Sequence, residues 1–201
     1  IFPEEEGEQL YLVENVYPKI DDLNVEPCRR VIQDAFEQNI THAPGMEHVR
    51  EMVTGPIIPT PGAVMECTKL YGYLGNLIVL DVGGATTDLH SVTVESDQVA
   101  RIMVSPEPKA KRTVEGDLGV YVNRWKVIES MGEDVLREKC RAQGFSMDHA
   151  LETYRAIPRT QEEVKLVELL TREAVVKAAE RHAGRLRYIY GPSGRSTVAE
   201  G

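Results

Sequence analysis

The chain has 201 residues, of which 42% are apolar and 27% are charged, a composition typical of a soluble globular protein. Its 32 acidic and 23 basic residues give a formal charge of −9, which argues against a protein that binds the phosphate backbone of nucleic acids. No apolar run is long enough for a transmembrane helix, and the first residues lack the pattern of a signal peptide. We therefore expect a cytoplasmic protein without nucleic-acid or membrane partners.

The three cysteines, Cys28, Cys67 and Cys140, are widely spaced in the chain and form no CxxC pair. An odd number at such spacing predicts reduced thiols, and neither a disulfide framework nor a structural zinc site.

Residues 1–62 predict an N-terminal arm followed by helices that lead to a turn. Pro27 stands near the start of a helix whose apolar residues recur at helical spacing and imply one buried face: Val31, Ile32, Ala35, Phe36 and Ile40. Three prolines at 56, 59 and 61 predict an ordered turn, after which Thr60 can cap another helix. The expected apolar face of that helix comprises Ala63, Val64, Cys67, Leu70, Tyr71 and Leu74.

Residues 63–201 predict an α/β lobe, with strands at about 76–104, a helical insertion at about 130–183 and a terminal hairpin at about 185–199. The run 76–80 is typical of a strand buried on both faces, and two further strands at 87–94 and 98–104 complete an antiparallel meander. Helices are predicted at 116–130, 133–142 and 147–157, and a longer one follows the capping-box pattern of Thr160 and Glu163.

Chemistry is concentrated between residues 81 and 88, where acidic residues flank two glycines and two threonines. Glycines without Cβ atoms let backbone N–H groups approach an anion closely. Threonine hydroxyls can donate to a terminal phosphate, and a nearby carboxylate can hold the hydration shell of Mg²⁺. The residue types indicate a phosphate-binding hairpin, with a simple glycine turn between strands as the alternative.

The stretch DVGGATTD at 81–88 resembles the second phosphate motif of the superfamily of ATPases that includes actin, heat-shock chaperones and sugar kinases (ASKHA). IPTPGAV at 58–64 matches its first connecting motif in place, and TVEGDLG at 113–119 falls where a helix N-terminus approaches the nucleotide sugar. The resemblance implies one lobe of an actin-like, or ribonuclease H-like, ATPase with a helical insertion.

Within that superfamily the chain most resembles the MutL-type, or GlmL-like, accessory proteins of adenosylcobalamin-dependent mutases. The resemblance rests on ENVYPKI at 14–20, GPIIPTP at 55–61, DVGGATTDLHSV at 81–92 and KRTVEGDLG at 111–119. It implies an ATP-dependent reactivating chaperone that exchanges damaged cobalamin out of its partner, an aminomutase or glutamate mutase. The implied ligands are ATP or ADP and Mg²⁺.

By position in the motif, the resemblance implies that Asp81 organises Mg²⁺ and the attacking water, and that Thr86 binds the γ-phosphate; these are the candidate catalytic residues. Asp88 would brace the hairpin or serve the metal, and Gly116 would lie near the ribose or base. The remaining expected nucleotide-binding residues wrap the phosphates: Gly83, Gly84, Ala85 and Thr87.

Two departures from the superfamily pattern qualify this expectation. Thr60 stands where an acidic or amide residue often orients water, so the general base is open, and a nucleotide-sensing or protein-binding module with little turnover is the alternative. The first phosphate motif and the final adenosine motif are absent from the chain. We therefore expect it to supply one wall of a nucleotide cleft and to be inactive in isolation.

Several other residues are expected to have structural roles. His90, in a sequence that nearly matches a cobalamin-binding signature, is predicted to be a strand residue. The basic stretch 109–112 is expected in a solvated loop, and Trp125 in helix packing. The remaining histidines are expected at the surface or at helix ends: His42, His48, His149 and His182.

Overall fold

The computed structural model describes residues 10–20, 22–41, 44–55, 57–94, 96–103, 107–192 and 194–200. The chain is mixed α/β and divides into two compact units, Ile1–Ala63 and Val64–Gly201. The helices are α1 (Glu26–Thr41), α2 (Met46–Met52), α3 (Thr60–Tyr71), α4 (Asp97–Ala100), α5 (Arg124–Met131), α6 (Glu133–Ala142), α7 (Met147–Glu152) and α8 (Gln161–Ala183), with a 3₁₀ turn at Gly72–Leu74. The strands are β1 (Leu77–Val82), β2 (Thr87–Val92), β3 (Ala110–Glu115), β4 (Arg185–Gly191) and β5 (Gly194–Glu200). Among the described helices, none has the length and apolar character needed to cross a bilayer.

The first unit contains α1 and α2. Pro27 lies in the first turn of α1, as its sequence position predicts. The expected buried face is wrong, because the side chains of Ile32 and Phe36 are 63% and 55% exposed. Helical spacing of apolar residues shows that a helix carries an apolar stripe, but another element must cover it.

Helix α3 buries a different face from the one predicted. Leu70 and Tyr71 are exposed, whereas Thr68 is fully buried. The Thr68 hydroxyl donates to the Val64 carbonyl at 2.7 Å, and this bond lets a polar side chain occupy the buried side of the helix.

The first three strands form an antiparallel sheet in the order β1-β2-β3. The predicted meander is confirmed, but its third strand is β3 and not the predicted range 98–104. Residues 98–103 belong to helix α4 and to the turn and bridge after it, and residue 104 lies outside the described residues. The basic stretch 109–112, expected in a loop, therefore lies mostly in the sheet. The adjacent charged residues Lys111 and Arg112 interrupt the alternation of polar and apolar residues by which a half-buried strand is recognised in a sequence.

Burial differs sharply between the first two strands. Every residue of β2 is buried, since this strand is central in the sheet. The prediction that β1 is buried on both faces is wrong: Ile78 and Leu80 are 56% and 41% exposed on this edge strand. An apolar run alone does not show whether a strand is central or at an edge.

Helices α5 to α8 lie in the second unit. The bounds predicted for α6 are confirmed, and α8 begins at a capping box in which Thr160 and Glu163 bond each other's backbone N–H groups. Helix α5 begins at Arg124 and not at 116, and α7 ends at Glu152 and not at 157. The capping residues Ser146 and Thr160 mark the starts of α7 and α8, whereas Pro158 lies several residues beyond the actual end of α7.

The core of this unit lies where α8 packs on β2 and on α5. Apolar side chains from the sheet, the loop after β3 and all four helices form one buried cluster: Leu89, Leu118, Val127, Ile128, Leu136, Cys140, Phe145, Met147, Ala150, Leu166, Leu169, Leu170, Ala174 and Ala178. Fully burying a large aliphatic side chain contributes about 1.5–3 kcal/mol, so this cluster holds β2 firmly against the helices.

The predicted terminal hairpin is confirmed as β4 and β5. All residues of β4 are exposed. An isolated bridge joins Met103 to Ala199 of β5.

Candidate functional site

The turn between β1 and β2 comprises residues 83–86. The strands end at the pair Val82 and Thr87, and the Gly83 N–H donates to the Thr86 carbonyl at 2.8 Å. Gly84 and Ala85 at the tip are exposed. The structure thus brings the residues predicted from 81 to 88 together on one tight hairpin.

The carbonyl groups of this turn are held by residues 116–123, which we call the bracing loop. This segment was predicted to be the start of a helix, and that prediction is wrong for its eight residues. The bonds run from Val120 N–H to the Gly83 carbonyl (3.1 Å), from Tyr121 and Val122 N–H to the Gly84 carbonyl (2.8 and 2.7 Å), and from the Asn123 side-chain amide to the Ala85 carbonyl (2.7 Å). All three carbonyls on this side of the turn are occupied.

The opposite side of the turn presents N–H groups. Each peptide unit is planar and trans, so an N–H points away from the carbonyl of the preceding residue. Among the described residues, the N–H groups of Gly84, Ala85 and Thr86 donate to no protein acceptor. Adjacent unpartnered N–H groups form a concavity that suits an anion.

Gly119 allows the bracing loop to approach the turn. A Cβ atom at this position would overlap the backbone of Ala85, so only glycine fits. Sequence reasoning missed this contact because it placed Gly119 inside a helix. The signal was present, since a glycine in a helix interior is unfavourable by about 1 kcal/mol.

Two carboxylates flank the turn, and their surroundings differ. Asp81 and Asp88 are cross-strand partners, an arrangement in which like charges repel. The Arg112 guanidinium offsets this repulsion, since its Nε and Nη2 donate to Asp88 at 3.0 and 2.5 Å. The Thr86 hydroxyl donates to the other Asp88 oxygen at 3.3 Å. Asp81 is exposed and, within the described part of the chain, has no ion-pair partner.

Thr87 and Gly116 are placed less directly than the motif suggests. Thr87 is fully buried, and its hydroxyl donates to the Leu118 carbonyl at 2.6 Å, so this side chain faces the bracing loop. Gly116 lies in the bracing loop and not at a helix N-terminus, and its carbonyl accepts from Asn123 at 2.8 Å.

Two buried histidines lie at this sheet, His90 in β2 and His182 in the covering helix α8. His90 is fully buried in β2, and neither ring nitrogen has a hydrogen-bond partner. Burial and the Arg112 guanidinium lower the pKa of His90. His182 of α8, expected at the surface, is buried and bonded to Ser91 and Thr113 at 2.8 and 2.9 Å; burial lowers its pKa. Burial between the sheet and its covering helix therefore favours the neutral form of both rings.

Further contacts fix the bracing loop to the helices. Arg181 of α8 bonds Glu115 and Asp117 at 2.6 and 2.7 Å. The Tyr154 hydroxyl donates to the Val120 carbonyl at 2.5 Å, and burial raises the pKa of Tyr154 to about 12. These contacts connect the turn's support to the helical part of the second unit.

The first residues of α5 form an aromatic cluster next to the bracing loop. The Arg124 guanidinium lies 5.6, 5.0 and 5.5 Å from the ring centroids of Tyr121, Trp125 and Tyr154. Trp125, expected to pack within the helix, is 55% exposed. Cation–π contacts of this kind hold Arg124 beside the loop.

The arrangement can bind an anion at the N–H side of the turn and can hold a hydrated cation near Asp81. Among the described residues no cluster of three or more histidine, cysteine or acidic side chains forms a metal site. Mg²⁺ requires no such cluster, because it commonly keeps several waters and takes one or two carboxylates together with substrate phosphates. The donor set at this hairpin therefore fits a nucleotide with its Mg²⁺ better than a free metal ion.

Comparison with known proteins identifies the family. The family model described as "MutL protein" matches residues 1–201. The chain belongs to the MutL family. Among curated MutL proteins, "Protein MutL" of Clostridium tetanomorphum is 34% identical over an alignment of 196 positions that covers 91% of this chain and 42% of the relative. The chain thus spans less than half the length of that MutL protein, and no solved structure matches it.

Proposed function

We propose that this chain supplies one wall of the nucleotide cleft in an ATP-dependent reactivating factor for an adenosylcobalamin-dependent mutase. The proposal combines membership of the MutL family with the geometry of the turn. The lobe would then be actin-like, with α6 to α8 as its helical insertion. The partner would be an aminomutase or a glutamate mutase, as the resemblance implies.

The observation that carries the nucleotide assignment is the division of the turn into two sides. The bracing loop bonds its carbonyls, and the N–H groups of Gly84, Ala85 and Thr86 have no protein acceptor among the described residues. A turn of this kind attracts phosphate oxygens and disfavours cations, because only donors face outward. Preorganised donors can also stabilise charge on a transferring phosphoryl group.

The flanking residues would then have separate roles. Asp81, which is exposed, would hold the waters of Mg²⁺ and orient the attacking water. Asp88 would brace the hairpin through Arg112, and Thr86 would contact the γ-phosphate from the end of the turn. When bound, Mg²⁺ would neutralise charge on the phosphates.

The test uses the full-length protein, with ATP hydrolysis measured in the presence and absence of its mutase. Asp81→Asn keeps the shape of the side chain and removes its charge. We expect hydrolysis to fall on the order of a hundredfold, or about 3 kcal/mol, while MgATP still binds. Asp134→Asn, at an exposed position on α6, is the matched control and should hydrolyse ATP like the wild type.

The measurements of binding and hydrolysis distinguish an ATPase from a nucleotide-sensing module. Wild-type protein that binds MgATP but does not hydrolyse it, with or without mutase, would support the nucleotide-sensing alternative, in which Thr60 cannot orient water. Failure to bind either MgATP or MgADP would overturn the nucleotide assignment.

A further inference from the structure

Asn123 occupies the residue before the first turn of α5, where an asparagine usually caps the helix. Its side chain makes no capping bond. Instead, its amide group donates one bond to the Ala85 carbonyl at 2.7 Å and another to the Gly116 carbonyl at 2.8 Å. The side chain therefore joins the tip of the turn to the start of the bracing loop at the expense of a local helix cap.

The bond to Ala85 has a directional consequence. The Ala85 carbonyl and the Thr86 N–H belong to one planar trans peptide unit, so fixing the carbonyl on one side aims the N–H at the other. The same reasoning applies to the N–H groups of Gly84 and Ala85, but there the bracing loop holds the preceding carbonyls with backbone N–H groups. The orientation of the Thr86 N–H is the one that depends on a side chain.

We propose that Asn123 is a positioning residue that aims the Thr86 N–H at a nucleotide phosphate. This inference rests on the proposed function, because it assigns a role within the same site. Asn123 touches neither nucleotide nor metal in this assignment, and it acts only through the peptide between Ala85 and Thr86. Its loss should weaken phosphate binding while leaving the other two donors in place.

The experiment compares full-length wild type with Asn123→Ala and Asn123→Asp in binding of Mg²⁺ with a non-hydrolysable ATP analogue. Asn123→Asp keeps the size of the side chain but replaces the NH₂ group that makes both bonds with a carboxylate oxygen, which repels the two carbonyls. We expect affinity to fall roughly tenfold for Asn123→Ala, the effect of one misplaced hydrogen bond to a charged group, and further for Asn123→Asp.

The matched control is Asn76→Ala at the other end of the same two strands. The Asn76 side chain accepts from the Val94 N–H at 3.0 Å, so its removal also costs one exposed hydrogen bond. It should bind the analogue like the wild type. Melting temperatures of all variants test whether a loss of affinity arises from unfolding, and we expect them to lie above the temperature of the binding experiment.

A second measurement separates positioning from general destabilisation. With selective ¹⁵N labelling, binding of the analogue should move the amide proton resonances of Gly84, Ala85 and Thr86 in the wild type. In Asn123→Ala, the change at Thr86 should shrink while those at Gly84 and Ala85 persist. Equal affinity and an unchanged Thr86 response in the variants would overturn the positioning role alone, whereas wild-type protein that does not bind the analogue would overturn the proposed function with it.

Discussion

The second unit contains two antiparallel hairpins with a similar local pattern and very different surroundings. The β1–β2 hairpin has six paired positions, and its second strand is entirely buried. The β4–β5 hairpin has seven paired positions, and its first strand is entirely exposed. The first hairpin has Gly83 and Gly84 in its turn, and in the second Gly191 and Gly194 are the paired strand residues that flank the turn.

The difference lies in what touches each turn. The bracing loop occupies the carbonyls of the first turn, and α8 packs against β2. In the second hairpin, β5 is bonded to the segment after α4 through the isolated bridge between Met103 and Ala199. Two strands joined by a short turn are sufficient to form a hairpin. To form a binding site, the peptide groups of the turn must also be oriented by bonds from other segments of the chain.

Replacing Gly119 should have the largest effect on the stability of the first hairpin. The Cβ atom of Gly119→Ala would overlap the Ala85 backbone, which cannot move aside as a flexible side chain could. We expect a loss of about 3 kcal/mol in the free energy of unfolding, measured by urea denaturation. Gly191→Ala in the second hairpin meets no atom within 4 Å and should change stability far less. Equal losses in the two variants would contradict the close approach of the bracing loop.

Removing one buried hydroxyl should have the next largest effect. Thr87→Val keeps the shape of the side chain and leaves the buried Leu118 carbonyl without its donor. We expect a loss of about 2 kcal/mol in the same measurement. Thr197→Val in β5, whose side chain is only half-buried, should stay within about 0.5 kcal/mol of wild type. If Thr87→Val had the same free energy of unfolding as the wild type, the hydroxyl bond to Leu118 would not stabilise the hairpin against the bracing loop.

The chemical distinction between the hairpins can be tested at Thr86. Its hydroxyl is proposed to contact the γ-phosphate, which ADP lacks. In full-length protein, Thr86→Ala should weaken ATP relative to ADP by about 1–2 kcal/mol, measured by calorimetry. A ligand shifts a conformation only through differential affinity, so cobalamin exchange from the mutase should slow as well. Ser196→Ala in β5 is the control and should leave the ratio of ATP affinity to ADP affinity unchanged. The same ratio in Thr86→Ala and wild type would show that Thr86 does not contact the γ-phosphate.

The smallest expected effect is the dependence of folding stability on pH. The pKa values of His90 and His182 are lowered in the folded protein from 6.5, so folding favours the neutral rings. Their contribution is present above pH 6.5 and is lost as the pH falls through the folded pKa values, because protons then bind preferentially to the unfolded chain. The second hairpin, residues 185–200, has no histidine and should respond less to acid.

Unfolding free energies measured between pH 7.5 and 5.5 check this expectation. His90→Leu removes one of the two groups and should make the pH dependence shallower. His149→Gln is the contrasting variant, because the bond to Glu162 raises the pKa of this exposed histidine and its removal should make the pH dependence steeper and not shallower. If the unfolding free energy of His90→Leu changed with pH as steeply as that of the wild type, His90 would not contribute to the loss of stability in acid.

Sequence alone determined features set by residues close together in the chain. The capping box at Thr160 and Glu163 and the ends of α6 follow from bonds within one helical turn. The hairpin at 81–88, with its glycines between two acidic residues, is equally local, and family membership follows from such motifs.

Tertiary structure decided which groups of that hairpin are free. The Asn123 amide reaches Ala85 from 38 residues away, and the Thr87 hydroxyl bonds a carbonyl 31 residues away. No periodicity or propensity encodes such partners, and so residues 116–123 were predicted to be helical. Likewise, the exposure of α1 and β1 depends on which elements cover them. A local pattern specifies the peptide groups that a turn contains, but their direction depends on the distant segments that bond them.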